Sequence, residues 1–389
     1  MNRTRHGRLR PPESGSVLVI VMITLLFTAF ALVAFIEKSG NDLIVEQHAA
    51  EARRLRMEAY SALEVTLAVL EDFRQASNGL HSPAEGWGDP LTFAGYTPTE
   101  GRTVDLAFED ESGKISLPRA DAQTLSRLFQ GWQVTQTDAD GLADALMGWM
   151  KRGHTYATAI SPDYDQGATP YESPGRSLRS FSELTAIDKV REFFYDADGR
   201  PNDYWRRFVG AVSLLNFQHP NLNGARPDAL FALGQFDPSQ QQNLSDYLAG
   251  TGNYQTQGPG FFQKTTDAQL IAGPTGNANA FVTTISALRI LVTVHDGNSQ
   301  FRLAAVITPP GGATTVQTTA TSQRTPASAT PARPAAPPAN QPNANQRSNP
   351  TTTRNGQAAQ RSLNYPFTLL EISENAEIPP PPPPPPPIT

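Results

Sequence analysis

The sequence predicts an α+β protein. Its parts are a long N-terminal helix with a transmembrane first half, a small antiparallel sheet, an α-helical domain of paired helical hairpins, and a disordered Pro-rich C-terminal region. Three observations carry this. Val17 to Ile36 holds no charge, and amphipathic sequence without proline continues to about Phe73. Strand-like alternation at 103–108 and 285–308 brackets a stretch of helical periodicity. From Pro309 to Arg361 large apolar side chains are few, so the segment cannot bury enough surface to fold.

Residues 16–36 would make about 30 Å of helix, the thickness of a bilayer's hydrocarbon core. Arg3, Arg5, Arg8 and Arg10 precede the span, whereas Glu37, Lys38, Asp42 and Glu46 follow it. That bias keeps the N-terminus cytoplasmic and exports the body. The apolar core is too long for a secretory signal, and Ala34-Phe35-Ile36-Glu37 offers a poor cleavage site. A basic leader, a Gly15-Ser16 junction and a span flowing into a long helix together resemble a type IV pilin-like N-terminus. A plain signal anchor would share the span without needing cleavage at Gly15.

Past the span, Ala52, Leu55, Ala59, Leu63, Leu67 and Leu70 form one apolar helical stripe, and Asn78-Gly79 is a stop signal. The spacing fits one helix of about 60 residues or two with a hinge at Gly40. Residues 80–102 read as a loop, and Asp110-Glu111-Ser112-Gly113 as a turn after the first strand. Leu125, Leu128 and Phe129 then share a helical face. Thr137-x-x-Asp140 and Ser180-x-x-Glu183 have the form of capping boxes. Leu117, Ala120, Leu125 and Leu128 recur 105 positions later as Leu222, Ala225, Leu230 and Leu233, each set ahead of a further helical segment. That echo predicts paired helical hairpins. Residues 253–279 read as a Gly/Gln/Asn/Thr-rich connection, Asp296-Gly297-Asn298 as a hairpin turn, and Phe367 to Ile372 as a last strand. Pro379 to Pro387 ends the chain as a polyproline rod.

The formal charge is −6, and without the four arginines and one glutamate of residues 1–15 the exported body is more acidic still. Such a body argues against nucleic acid as a partner. With no cysteine, neither disulfides nor thiolate metal sites exist. The six histidines are scattered, and no HExxH, G-x-S-x-G or P-loop pattern occurs. The residues therefore predict no catalytic constellation and no enzyme. Asp163-Tyr164-Asp165 with Glu172 is the one candidate metal site, since calcium needs several oxygens from a short stretch.

From Gly15 to Thr308 the chain resembles the general secretion pathway protein K family, minor pseudopilins of bacterial type II secretion systems. The resemblance rests on Gly15-Ser16 before the apolar helix, and on Ile20 at mature position +5, where most pilins carry glutamate and this family does not. It also rests on Asp110-Glu111-Ser112-Gly113-Lys114-Ile115-Ser116-Leu117, on Arg176-Ser177-Leu178 with Glu183-Leu184, and on Asn221-Leu222-Asn223-Gly224-Ala225. The chain departs from the family where Gly148-Trp149-Met150-Lys151 lacks both acids of a D-W-x-D segment, and where Ser116 and Pro118 replace asparagines.

The resemblance implies cleavage between Gly15 and Ser16 by prepilin peptidase, with methylation of Ser16. It implies calcium at Asp163, Asp165 and Glu172, and no other cofactor. Its partners would be the major and other minor pseudopilins, the inner-membrane secretion platform, and at the tip secreted substrate or the outer-membrane channel. The implied organisation is leader 1–15, transmembrane helix 16–36, its amphipathic continuation 37–78, and pilin-like β segments 79–117 and 256–308 around an inserted helical domain, 118–255. Linker 309–361, last strand 362–374 and polyproline tail 375–389 complete it. A minor type IV pilin, or a signal-anchored periplasmic protein of unrelated function, would share the N-terminus.

Overall fold

The computed structural model describes residues 14–99, 101–159, 164, 170–274, 276–316 and 366–375. Most of the leader, the greater part of the linker and the polyproline tail lie outside the described residues. The chain divides into two units. The first holds the described residues of 14–109, 288–306 and 371–375, and the second those of 110–287, 307–316 and 366–370.

Helix α1 (Ser14–Ser77) is continuous for 64 residues, about 96 Å at 1.5 Å each. Gly40 does not interrupt it, which settles the hinge alternative in favour of one helix. Burial begins at Leu55 and follows the expected stripe through Ala59, Leu63, Leu67 and Leu70, with Ala62, Thr66 and Val69 added; Ala52 stays exposed. The stop is built as read. Asn78 takes φ 56° and Gly79 N–H returns to Arg74 O at 3.0 Å, closing the helix in a Schellman motif.

The segment 80–102, expected to be a loop, carries more structure than that. Glu85 accepts from His81 N–H (2.9 Å) and Trp87 Nε1–H (3.0 Å), and its other oxygen lies 2.5 Å from His81 Nδ1. Trp87 is fully buried, its ring edge-on to Phe108 at 5.2 Å. A short helix α2 (Pro90–Phe93) follows, capped by Asp89. Low hydropathy hid this segment because its order comes from one buried acid and one indole.

Strands β1 (Arg102–Asp110), β4 (Leu288–Asp296), β5 (Ser299–Thr308) and β6 (Thr368–Glu374) form a sheet in the order β1-β4-β5-β6. Across the first pair, Arg102 meets Asp296 at 3.1 Å and Arg289 meets Glu109 at 3.6 Å. Numbers rise on one strand as they fall on the other, so the pair is antiparallel. β4 and β5 are joined through Gly297-Asn298, with positive φ (57°) at Gly297 only, the type II′ hairpin pattern. Leu288, Ile290, Val292 and Val294 point inward from β4, onto which α1 packs.

The second unit is mainly helical. β2 (Ile115–Ser116) pairs in parallel with β3 (Val212–Ser213). Around them lie α3 (Ala122–Gln130), α4 (Gln136–Met150), α5 (Asp188–Phe194), α6 (Asp203–Ala211), α7 (Pro227–Ala232), α8 (Pro238–Ala249) and α9 (Thr265–Ala272). α3 packs on α4 and on α7, and α8 packs on α9, a helix within the stretch read as a connection. Leu117, Leu125 and Leu128 of the first echo enter a core with Phe129, Trp132, Phe194 and Phe208. Leu222 and Leu230 of the second enter another with Phe236, Leu244 and Phe262. The N-cap of α4 is Thr135, two residues before the expected Thr137. Past Thr308 the chain stays paired as far as Thr314, whose N–H and C=O both bond Asn216 (3.0 and 2.8 Å).

Candidate functional site

Two parts of the chain carry the recognised signals: the apolar half of α1, and a junction inside the second unit where distant motif segments meet. In α1 the span has a mean hydropathy of 2.9, and none of it is buried within the structure. The helix is long and apolar enough to cross a membrane. Its two polar side chains are satisfied internally. Thr24 Oγ1 donates to Ile20 O and Val21 O, and Thr28 Oγ1 to Leu25 O, each at 2.9 Å. Backbone-directed hydroxyls remove the cost of carrying threonine into lipid. Gly15 and Ser16 lie in the first turn of α1, and Ile20 one turn further on is 60% exposed.

The junction is built from 110–117, 212–213 and 221–226. Asp110 is half-buried there. Its Oδ1 accepts from Ser112 N–H (2.8 Å) and Ser112 Oγ–H (2.6 Å), and its Oδ2 from Asn221 Nδ2–H (2.7 Å). Burial pushes its pKa up to about 6, against the pull of the Ser112 and Asn221 hydrogen bonds. The backbones are laced as well: Asn221 N–H donates to Ser112 O (2.8 Å), Arg226 N–H to Gly113 O (3.1 Å) and Leu117 N–H to Ser213 O (2.9 Å). Ser286 N–H donates to Ser112 Oγ at 2.9 Å. Gly113 and Gly224 allow the approach, since a Cβ at either would strike Gly224 carbonyl or the Asp110 carboxylate. The two motif segments, more than a hundred positions apart, form one clasp.

The third motif segment makes a lock rather than a capping box. Ser180 caps a 3-10 helix (Phe181–Ala186), while Glu183 accepts from Arg176 Nη1 (3.1 Å to each oxygen) and Arg179 N–H (2.9 Å). Leu178 and Leu184 are thereby held fully buried. A further buried acid, Asp144 on α4, was not singled out in the sequence. It holds the following loop through His154 Nε2 (2.6 Å), Thr158 N–H (2.8 Å) and Thr158 Oγ1–H (2.7 Å). These hydrogen bonds keep its pKa below the usual carboxylate range despite burial. A loop histidine ten residues past an acid in a helical pattern was its faint signal.

Of the candidate calcium ligands, Asp163 and Asp165 lie outside the described residues, and Glu172 is exposed. Tyr164, between the two aspartates in sequence, accepts from Tyr171 N–H through its carbonyl at 3.0 Å. Among the described residues no group of three or more His, Asp or Glu is placed to hold a metal. The missing first acid of the D-W-x-D segment has a steric counterpart: Tyr156 lies against Gly148 where any side chain would stand.

Residues 107–197 match the family description "Type II secretion system (T2SS), protein K". Among solved structures, a chain of the GspK–GspI–GspJ complex from the enterotoxigenic Escherichia coli Type 2 Secretion System is similar at 13% identity and a TM-score of 0.48. That similarity spans 69% of this chain and 96% of that one. No curated protein matches this chain. The family match takes in the 110–117 side of the clasp, the α3–α4 pair, the Asp144 loop and the Arg176–Glu183 lock, and it bears out the resemblance read from the sequence: residues 107–197 are similar to type II secretion system protein K.

Proposed function

We propose that the chain is a minor pseudopilin that caps a short periplasmic pseudopilus and helps it assemble. The single observation that carries this is the coexistence, in one chain, of a protein K segment at 107–197 and an N-terminal helix fit to cross a membrane. The helix holds the subunit in the inner membrane, N-terminus cytoplasmic, until prepilin peptidase cuts between Gly15 and Ser16. The same apolar surface then packs among neighbouring pseudopilin helices. Its exposed residues run from Val17 past the span to Leu43, Ile44 and Val45, so the surface suits either environment.

Ile20 supports a terminal position in the filament. A carboxylate at this depth is costly unless a partner neutralises it, and in pilins the neighbour's N-terminal amine is that partner. With isoleucine here the subunit needs no neighbour above or below to satisfy a charge, which suits a terminal subunit. The role is one of assembly, with other minor pseudopilins as first partners. The test is to purify the tagged intact chain from detergent-solubilised membranes of its own host and identify what comes with it. The reading predicts other pseudopilins in the eluate and impaired protein secretion on deletion. Normal secretion in the deletion strain would contradict it.

A further inference from the structure

β6 is the least buried strand of the sheet: between Glu371 and Glu374 only Ser373 is half-buried, and Ile372 is 41% exposed. β5, which it covers, is the opposite, with Phe301, Leu303, Ala304, Ala305 and Val306 all buried. So apolar a strand left at an edge is a template for pairing with another chain. Phe367, just before β6, is buried, but between Glu371 and Glu374 the shielding strand has little hydrophobic grip.

What holds residues 371–375 is polar. Glu374 accepts from Arg56 Nε at 2.8 and 3.0 Å, pairs with Arg56 Nη2 at 2.7 Å, and accepts from Tyr60 Oη–H at 2.7 Å. The Arg56 guanidinium lies 5.3 Å from the Tyr60 ring centre, which orients both toward the acid. Next to it, Asn375 clasps the backbone of Arg302, with N–H to Arg302 O at 2.7 Å and Oδ1 to Arg302 N–H at 2.9 Å. The Arg56 side chain remains 55% exposed and Glu374 33%, so solvent weakens the pair. In the sequence, residues 317–365 stand between β6 and the preceding described segment.

We propose that the β5 edge, with Arg56 and Tyr60 beside it, is a strand-acceptor site. Residues 371–375 fill it in cis, and an extended partner segment displaces them by adding its own strand. The recognised chemistry is a polypeptide strand with a carboxylate at the Glu374 position, followed by a side chain that accepts from the Arg302 N–H. β-augmentation supplies affinity through the main chain. The carboxylate sets register, because a slip of one residue turns it to the opposite face. The site stands on the geometry of the first unit and does not depend on the family reading.

The test uses the full chain in detergent with a protease site inserted within 317–365. After cleavage, a fluorescent peptide covering 366–375 is titrated against cut and uncut protein. Exchange into the cut protein is expected, with at least ten-fold weaker binding to uncut protein, where the cis copy competes. Arg56→Glu, an exposed position, should weaken binding to the cut protein at least ten-fold, and a peptide carrying Glu374→Arg should restore it. Three results would overturn the proposal: a fragment that neither leaves nor exchanges within a day, equal binding to cut and uncut chains, or no effect of Arg56→Glu.

Discussion

Asp110 is a half-buried acid whose desolvation makes ionisation costly, and its pKa near 6 has a consequence for stability. An unfolded aspartate titrates near 3.9, so between about pH 4 and 6 the folded chain binds the extra proton. This group's contribution is full below about pH 4 and is lost as pH rises through 6. Two pKa units correspond to about 3 kcal/mol. Asp110→Asn should therefore flatten the pH dependence of stability over that window, read as the difference between wild-type and variant urea midpoints. Gly113→Ala should cost about 2 kcal/mol or more, because the added methyl meets backbone that cannot rotate away; thermal melting of the purified variant checks it. Asp110 reads from the sequence as a turn residue, and it does cap a 3-10 turn. Its burial was illegible because the groups that bury it sit at Asn221 and Gly224, far along the chain. Glu183 was misread for a local reason: Arg176, seven residues back, and Arg179 N–H take its carboxylate in place of the Ser180 N–H a capping box needs.

At the scale of elements, periodicity located α1 and its stripe because both depend on local spacing alone. The end of the stripe was less legible, since Ala52 fits the pattern and yet nothing covers it. The structure separates the helix into a packed part and a free part, with different mutational costs. Leu63→Ala, at a site 3% exposed, should destabilise the first unit by about 2–4 kcal/mol. Leu43→Ala, at a site 68% exposed, should shift stability by less than about 0.5 kcal/mol. Chemical denaturation followed at Trp87, the one tryptophan of that unit, distinguishes them. α9 escaped the sequence reading because only Ala268 and Ala272 of it are buried, and alanines make a faint stripe.

For the whole molecule, the span and the internal echo were the two most legible features, and both organise the structure. The echo marks two strand-end, turn and helix segments whose first leucines enter adjoining cores of one unit. The strand after the Pro/Thr/Asn stretch was also legible, at Phe367 to Ile372, but composition could not foresee that its end would be held by Arg56 and Tyr60. The central claim is that this chain is a processed pseudopilin. Co-expression with a prepilin peptidase, followed by intact-mass analysis of the membrane fraction, tests it most directly. The account predicts a product that begins at Ser16, carries one N-methyl group, and retains residues 1–15 when Gly15 is changed to a bulky residue. A product that keeps its leader in the presence of active peptidase would contradict it.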